Sequence, residues 1–454
     1  MVSHKLDRRR FLRGAAAVGA VGLANAALRS PFSVVRASVR AMEQEAKSRF
    51  APVKVARNRI IREVVGLRPY RAEGFVVEAE RLGDKLLVHN YGHGGAGVTL
   101  SWGTSSLAVD LAREFLQTGV RPQPVRTSQS RTVTQVIPTP PRIKIEPARP
   151  LPQTMPARPL PQTMPARPLP QAVLTGSRGR GGARRFAVLG CGVMGLSTAR
   201  LVQRRLLGEG GTVTIYAKDI PPQTTSNVAG ALWLPTSIYN PELASAKFLE
   251  QFHLAARLSN RAFQELVGVE YGVRWTDTYE LITGEASLNR ELSGGAALYP
   301  QTEFHRNPEQ YFGVPFVRQF STMMIEPHTY LRALLRDFYL AGGKIVIKEF
   351  KNREEVARLS EQVIFNCTGL GARDLFGDEK LGPVRGQLEV LLPQPEIDYC
   401  YLSGSSYMFP RRDGIILGGT FDHDDWSLEP NAEQATEILE AHAGIMKKAE
   451  GTRQ

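Results

Sequence analysis

The 454 residues carry 57 Lys and Arg against 44 Asp and Glu, a formal net charge of +13, with 42% hydrophobic residues and three cysteines. That is room for two or three domains of ordinary globular make-up, and Cys191, Cys367 and Cys400 form neither a disulfide framework nor a metal spacing. The charge sits in two places, about +5 in residues 1–30 and about +11 in 120–185, which leaves the remainder mildly acidic and makes nucleic-acid binding by the folded part a poor expectation.

The first element is a targeting segment. Asp7-Arg8-Arg9-Arg10-Phe11-Leu12-Arg13 resembles a twin-arginine signal, residues 14–28 form a small-residue apolar stretch, and Ala24-Asn25-Ala26 offers a cleavage site. Residues 1–30 are therefore expected to engage the twin-arginine export machinery, placing the protein in the periplasm or outside the cell. The stretch is too short for a stable membrane span, and no other segment is long and apolar enough for one. Residues 38–65 read as mixed and partly helical. Residues 74–81 alternate like a half-exposed strand, with 85–89 as hairpin partner. HNYGHGGAGVT at 89–99 reads as an irregular glycine loop, and 107–116 is amphipathic at helical spacing. Strand, glycine loop and helix together make a candidate cofactor cradle.

From 120 to 185 the apolar periodicity disappears. PARPLPQTM begins at Pro147 and again at Pro156, and returns as PARPLPQAV at Pro165. Such a repeat predicts an extended, semi-rigid linker. Contact of its arginines with an anionic surface or a PxxP-binding partner is the lesser alternative.

FAVLGCGVMGLSTAR at 186–200 is the most informative stretch. The apolar run 186–189 predicts a buried parallel strand, and 196–207 a helix. Between them Gly190, Gly192 and Gly195 have the dinucleotide spacing: one for the tight turn, one for close approach of a pyrophosphate, one for helix–strand packing. The phosphates would sit on the helix N-terminus. The second strand is 212–217. Lys218 stands at its end and Asp219 one place later, so the acid that commonly holds a ribose is displaced, which counts against a standard NAD site. Residues 224–233, TTSNVAGALW, read as opening a helix whose hydroxyl residues meet phosphate. A long amphipathic helix is expected over 241–267, strands over 271–283 and 313–320, a helix over 327–341, and strands over 344–350 and 363–366. Cys367-Thr368-Gly369 makes a further candidate backbone contact. Strands at 382–392, 406–409 and 414–420 and a helix at 431–448 complete the chain. Asp422-His423-Asp424-Asp425 reads as a solvated turn, so no metal is expected.

These motifs together resemble the FAD-dependent D-amino-acid oxidases. The carriers are VLGCGVMGLSTAR at 188–200, TTSNVAGALW at 224–233, FNCTGLGARDL at 365–375, GPVRGQ at 382–387, YMFPRRDGIILGGTF at 407–421, GLRPYR at 66–71 and HNYGHGGAGVTLSWG at 89–103. The resemblance implies an α/β fold, a Rossmann-like FAD-binding domain with a substrate domain built on a large mixed sheet. The two are interleaved over 185–450. In the family the last two motifs close the chain; here they open it. The segment 59–118 is thus expected to be the family's C-terminal piece, circularly permuted and joined through the linker 119–184. The expectation that follows is that 60–65 pack against the end of the last helix. The alternative is exchange of this segment between two chains, as in a homodimer.

By the same resemblance Arg68 would hold the substrate carboxylate, Tyr407 would donate its hydroxyl to it, and the Gly95 carbonyl would take the substrate amine. Gly94, Gly95, Gly97, Val98 and Thr99 would line the flavin ring, with Arg68 beside it. Gly190, Cys191, Gly192, Val193, Met194, Gly195, Lys218, Asp219, Thr224, Thr225, Ser226, Gly230, Ala231, Phe350 and Thr368 would contact the rest of FAD. His89 and His93 read as loop-ordering hydrogen bonders, because no general base is needed. Ser403 replaces a lid tyrosine of the animal enzymes on a shorter loop. The implied reaction takes a D-amino acid and oxygen to a 2-oxo acid, ammonia and hydrogen peroxide. The alternatives are a D-aspartate oxidase, with Arg71 or Arg411 as the second cation, a flavin dehydrogenase, an NAD-dependent dehydrogenase and a non-catalytic envelope binding protein.

Overall fold

A computed structural model describes residues 50–119, 184–306 and 312–451, all within one structural unit. The signal and linker expectations lie outside the described residues. The strands, in chain order, are β1 (Ile60–Arg71), β2 (Val76–Leu82), β3 (Lys85–Tyr91), β4 (Arg185–Leu189), β5 (Thr212–Ala217), β6 (Val273–Ile282), β7 (Glu303–Arg306), β8 (Phe316–Ile325), β9 (Lys344–Ile347), β10 (Val363–Asn366), β11 (Leu381–Leu391), β12 (Tyr399–Ser403), β13 (Ser406–Arg411), β14 (Gly414–Gly418) and β15 (Asp422–His423). The helices are α1 (Gly97–Thr118), α2 (Val193–Arg205), α3 (Ala246–Glu265), α4 (Pro327–Leu340), α5 (Arg353–Ala357), α6 (Gly371–Phe376) and α7 (Ala432–Gly451).

Two sheets form. The smaller runs β2-β3-β10-β4-β5-β9; from β3 onward it is parallel, and β2 closes it as an antiparallel edge. Its inner strands β4 and β10 are uninterrupted apolar runs because helices cover both faces. Gly83, at φ +64°, makes the tight β2–β3 turn. The larger sheet runs β1-β11-β14-β13-β12-β6-β8-β7, with β15 on β11. It is antiparallel except where β12 meets β6. This is the α/β fold expected.

Several local expectations are corrected. The glycine loop is shorter than 89–99: His89 to Tyr91 belong to β3, Gly94–Ala96 form a 3-10 turn, and α1 begins at Gly97. Residues 98–106 are buried on every side, so the first half of α1 lacks the amphipathic pattern that marks 107–116. A Cβ on Gly103 would fall 1.9 Å from the Ala255 carbonyl oxygen, so this half packs directly on α3. Residues 224–233 do not open a helix; Thr225–Val228 make one 3-10 turn and the chain then extends, with Trp233 N–H bonded to the Met323 carbonyl. The helix over 241–267 starts later, where the Ser245 hydroxyl caps the Phe248 N–H. The described part of 38–65 holds no α-helix, only the turn Arg57–Arg59.

The segment before β1 follows the last helix. Val53 N–H reaches the Met446 sulfur at 3.3 Å and Arg57 donates to Thr436. Ile60 lies against the apolar cluster to which Ile438 and Leu439 of α7 belong. β1 then pairs with β11 along its length.

His442 of α7 is fully buried against the back of the larger sheet. The Tyr401 hydroxyl donates to Nδ1, and Nε2–H donates to the Gly418 carbonyl at 3.1 Å. Burial pushes its pKa down to about 4, and that of the buried His93 to about 3. Both rings are neutral when folded and protonate once the chain opens. Their contribution is therefore full above the ordinary histidine pKa and is lost as pH falls from about 6.5 toward 4, at about 1.4 kcal/mol per pH unit for each proton. Urea unfolding at pH 7.5 and 5 is expected to show this drop. His442→Gln should lower stability at pH 7.5 by about 1–3 kcal/mol yet flatten the pH slope; an unchanged slope would contradict the assignment.

Candidate active site

The register of the larger sheet aligns the site. Arg68 pairs with Val384, which faces His423; Gly66 pairs with Gly386; Val64 pairs with Leu388, then Gly418, then Tyr407. Side chains in these rows share one sheet face. Arg68 leans from β1 across β11, and Tyr407 leans from β13 across β14. Two glycines leave the bed for them. A Cβ on Gly386 would lie 2.3 Å from Arg68 Nη1, and one on Gly418 would lie 2.2 Å from Tyr407 Cζ. Since β11 and β14 are neighbours, the guanidinium and the phenol are brought toward each other over adjacent strands.

Arg68 is half-buried. Its Nη1 donates to the Arg385 carbonyl at 3.2 Å and the Thr420 carbonyl at 3.5 Å, and the Phe421 ring lies 5.5 Å from Cζ. Among the described residues no carboxylate pairs with it. Tyr70 and His423 meet Phe421 edge to face, making an aromatic rim over the arginine. Tyr407 stacks on Phe409 at 4.8 Å, and its hydroxyl bonds to no described residue. A half-buried cation without an acid, facing a free phenol, is an arrangement for an anionic ligand.

The two other candidate cations are occupied. Arg71 is held by Asp378 at 2.8 Å and Glu73 at 3.6 Å. Arg411 forks onto Asp413, at 2.8 and 2.7 Å, and donates to the Ala229 carbonyl. Neither is available to a second carboxylate.

The loop 92–96 adjoins this strip: Tyr70 bridges to His93, and Gly95 N–H bonds to the Ser237 carbonyl. Gly95 is exposed there, and Gly97, Val98 and Thr99 form the first turn of α1. The nucleotide turn lies at the other end. Gly190 has φ +99°, and a Cβ on Gly195 would fall 1.9 Å from the Gly190 carbonyl oxygen. Cys191, Val193 and Met194 are buried beside it. Thr224 to Ala231 joins the two ends: the Ser226 hydroxyl accepts from Val193 N–H, and Gly230 lies against Tyr407 and Phe409. Thr225 is exposed, and the Thr224 hydroxyl donates to Asn227. Lys218 and Asp219 are exposed after β5, next to Phe350, which packs on Tyr216 just past the end of β9.

His89 and His93 are both hydrogen-bonded internally. His93 meets Thr104 and stacks on Phe75. His89 bridges Glu80 and Asn366, and Asn366 in turn accepts from the Thr368 hydroxyl and N–H. The sequence reading gave no role to Asn366, Phe421, Tyr70 or the two bed glycines, although all five stand inside quoted motifs.

The chain's own surfaces fit a dinucleotide flavin. Gly192 and Ala96 precede α2 and α1, and neither supplies a side-chain cap. Among the described residues only Ser226 reaches the first turn of α2, so its remaining N–H groups are left for an outside acceptor. A Cβ on Gly97 would have no protein atom within 4 Å. The uncapped N–H groups of α2 suit an anionic diphosphate, and the open face at Gly97 suits a flat ring.

Fold and site thus define a two-sheet α/β protein with a nucleotide turn and a strip suited to an anionic ligand. The family described as FAD dependent oxidoreductase matches residues 7–111 and 185–452. The chain belongs to it. Human D-aspartate oxidase is 33% identical over 258 residues, 56% of this chain and 74% of that protein. D-amino-acid oxidases of Streptomyces coelicolor and Rubrobacter xylanophilus are 32% and 31% identical, covering 59% and 62% of this chain and 79% and 82% of theirs.

Proposed function

We propose that the protein oxidatively deaminates D-amino acids with FAD, yielding 2-oxo acid, ammonia and hydrogen peroxide. The observation that carries this is Arg68, half-buried, free of any carboxylate among the described residues and on the same sheet face as Tyr407, the two lying over Gly386 and Gly418 of neighbouring strands. Arg68 and Tyr407 would fix the substrate carboxylate, and the exposed Gly95 would offer its carbonyl to the neutral amine. With carboxylate and amine held and the α-hydrogen required to face the ring over Gly97 to Thr99, only one enantiomer fits the site. Bound FAD would supply the two-electron acceptor and the route to oxygen. His89 and His93, both engaged internally, take no proton. The β12–β13 turn is two residues long, with Gly404 at φ +60°, so Ser403 stands on a hairpin too short to fold over the site.

Neutral side chains are favoured over acidic ones, because Arg71 and Arg411 are each held by carboxylates. Anaerobic mixing of the FAD-loaded protein with D-alanine or D-aspartate tests this. Flavin bleaching with D-alanine should exceed that with D-aspartate by at least about tenfold in kcat/KM. Preference for D-aspartate would overturn the side-chain assignment, and no bleaching with any D-amino acid would overturn the reaction.

The segment 59–118 is read as the family's C-terminal piece placed first. The run of residues 50–59 along α7 and the pairing of β1 with β11 support that order. Export by the twin-arginine machinery, proposed from Arg8 and Arg9, agrees with a cofactor loaded before transport. Among the described residues no helix is long and apolar enough to cross a membrane.

A further inference from the structure

We propose that Arg385 is a positioning residue for the substrate carboxylate, acting from the opposite face of the sheet through Arg68. This rests on the role given to Arg68 above. Along β11 the even residues Gly386 and Leu388 face the site, and the odd residues Arg385, Gln387 and Glu389 face α7. The odd three are almost fully buried, Arg385 at 2% exposure, beside the apolar cluster between this sheet face and α7. A buried cation costs several kcal/mol unless its donors are matched, so where its partners lie shows what it holds.

Most lie in one connection, between β14 and α7, with Gln434 in the first turn of α7 and Gln387 on β11 itself. Nε donates to the Ser427 carbonyl at 3.2 Å and Nη2 to the Glu429 carbonyl at 2.6 Å. Nη1 meets Gln434 and Asp422, and Nη2 also meets Gln387. Gln387 exchanges bonds with both the N–H and the carbonyl of Asn431, and its own N–H donates to the Thr420 hydroxyl at 2.6 Å. The fork therefore pins the chain that begins at Thr420 and Phe421.

On the site face the same backbone holds Arg68. Nη1 of Arg68 donates to the carbonyls of Arg385 and Thr420, and Phe421 covers the guanidinium. With no carboxylate partner, Arg68 is aimed by these two carbonyls and one ring. All three belong to the segments that Arg385 and Gln387 tie together from behind. The motif residues GPVRGQ and GGTFDHDD thereby form one unit across both faces of the sheet.

The test uses the FAD-loaded full chain with Arg385→Lys, which keeps the charge and loses the fork, and Arg385→Met. Four quantities are measured: KM and kcat for D-alanine, the dissociation constant of benzoate from the flavin spectrum, and the FAD dissociation constant. For Arg385→Lys, KM and the benzoate constant should each rise about tenfold while kcat and FAD affinity stay within about twofold. Arg385→Met should move the same two quantities further; if it fails to fold, the lysine variant decides. In an Arg68→Ala background the lysine change should add nothing to the benzoate constant. Unchanged KM and benzoate affinity in a folded variant would overturn the proposal. So would equal losses in kcat, KM and FAD affinity, or an additive effect without Arg68. If no D-amino acid bleaches the wild-type flavin, the functional reading fails while benzoate still reads the positioning role; a wild type that binds no benzoate overturns the positioning role.

Discussion

Arg68→Ala is expected to lower kcat/KM for D-amino acids by about a thousandfold or more while FAD stays bound and the fold stays intact. Losing one partner of a desolvated charge pair costs about 2–5 kcal/mol, and the lost orientation adds to that. The fold should survive because the protein itself uses this guanidinium lightly: two carbonyl bonds and one ring contact. No buried acid is orphaned by its removal among the described residues. Arg68→Lys should recover only part of the loss, since an ammonium offers no flat two-pronged face. Steady-state kinetics beside the visible flavin spectrum check this. A loss under about tenfold would contradict the role given to Arg68.

The second large effect concerns the flavin cradle. Gly97→Val is expected to weaken FAD binding by about a hundredfold or more in a protein that still folds. The position has an ordinary helical φ of −54°, and no protein atom lies within 4 Å of the new Cβ. The side chain would stand where the ring should lie, at about the cost of overpacking a filled site. Gly195→Ala makes the contrast. Its Cβ would meet the Gly190 carbonyl oxygen at 1.9 Å, so that variant should lose the fold of the nucleotide turn itself. Fluorescence titration of apoprotein with FAD, beside circular dichroism, separates the two. Normal FAD affinity in Gly97→Val would remove the ring from α1.

The parallel strands β4, β5 and β10 were legible in the sequence nearly to the residue, while β9 ends at Ile347, three residues short of its expected span. β10 matches its predicted span because both faces are buried along an apolar run, and β5 matches because its residues alternate between buried and half-buried at the period of a strand. Where burial erases periodicity, reading fails. The first half of α1 is covered on all sides and looked like loop, while 224–233 looked helical and is held extended by tertiary bonds to β8. β12 (Tyr399–Ser403) also went unread, being short and set between the turns at Pro395-Glu396 and Gly404-Ser405. The site was partly legible. Arg68, Tyr407 and the glycines follow from motifs, and the structure brings Arg68 and Tyr407 onto one face. That Arg71 and Arg411 are already paired could not be read, since their carboxylates lie far off in sequence or depend on a hairpin's geometry. The bed under Arg68 and Tyr407 likewise needs strand register, which spacing alone does not supply.

The most direct test of the central claim is peroxide release by the purified, FAD-loaded protein on paired D- and L-amino acids in air. Peroxide from D-alanine and other neutral D-isomers, with none from the L-isomers, is the predicted result. Peroxide from L-isomers, or none from any D-isomer, would contradict it.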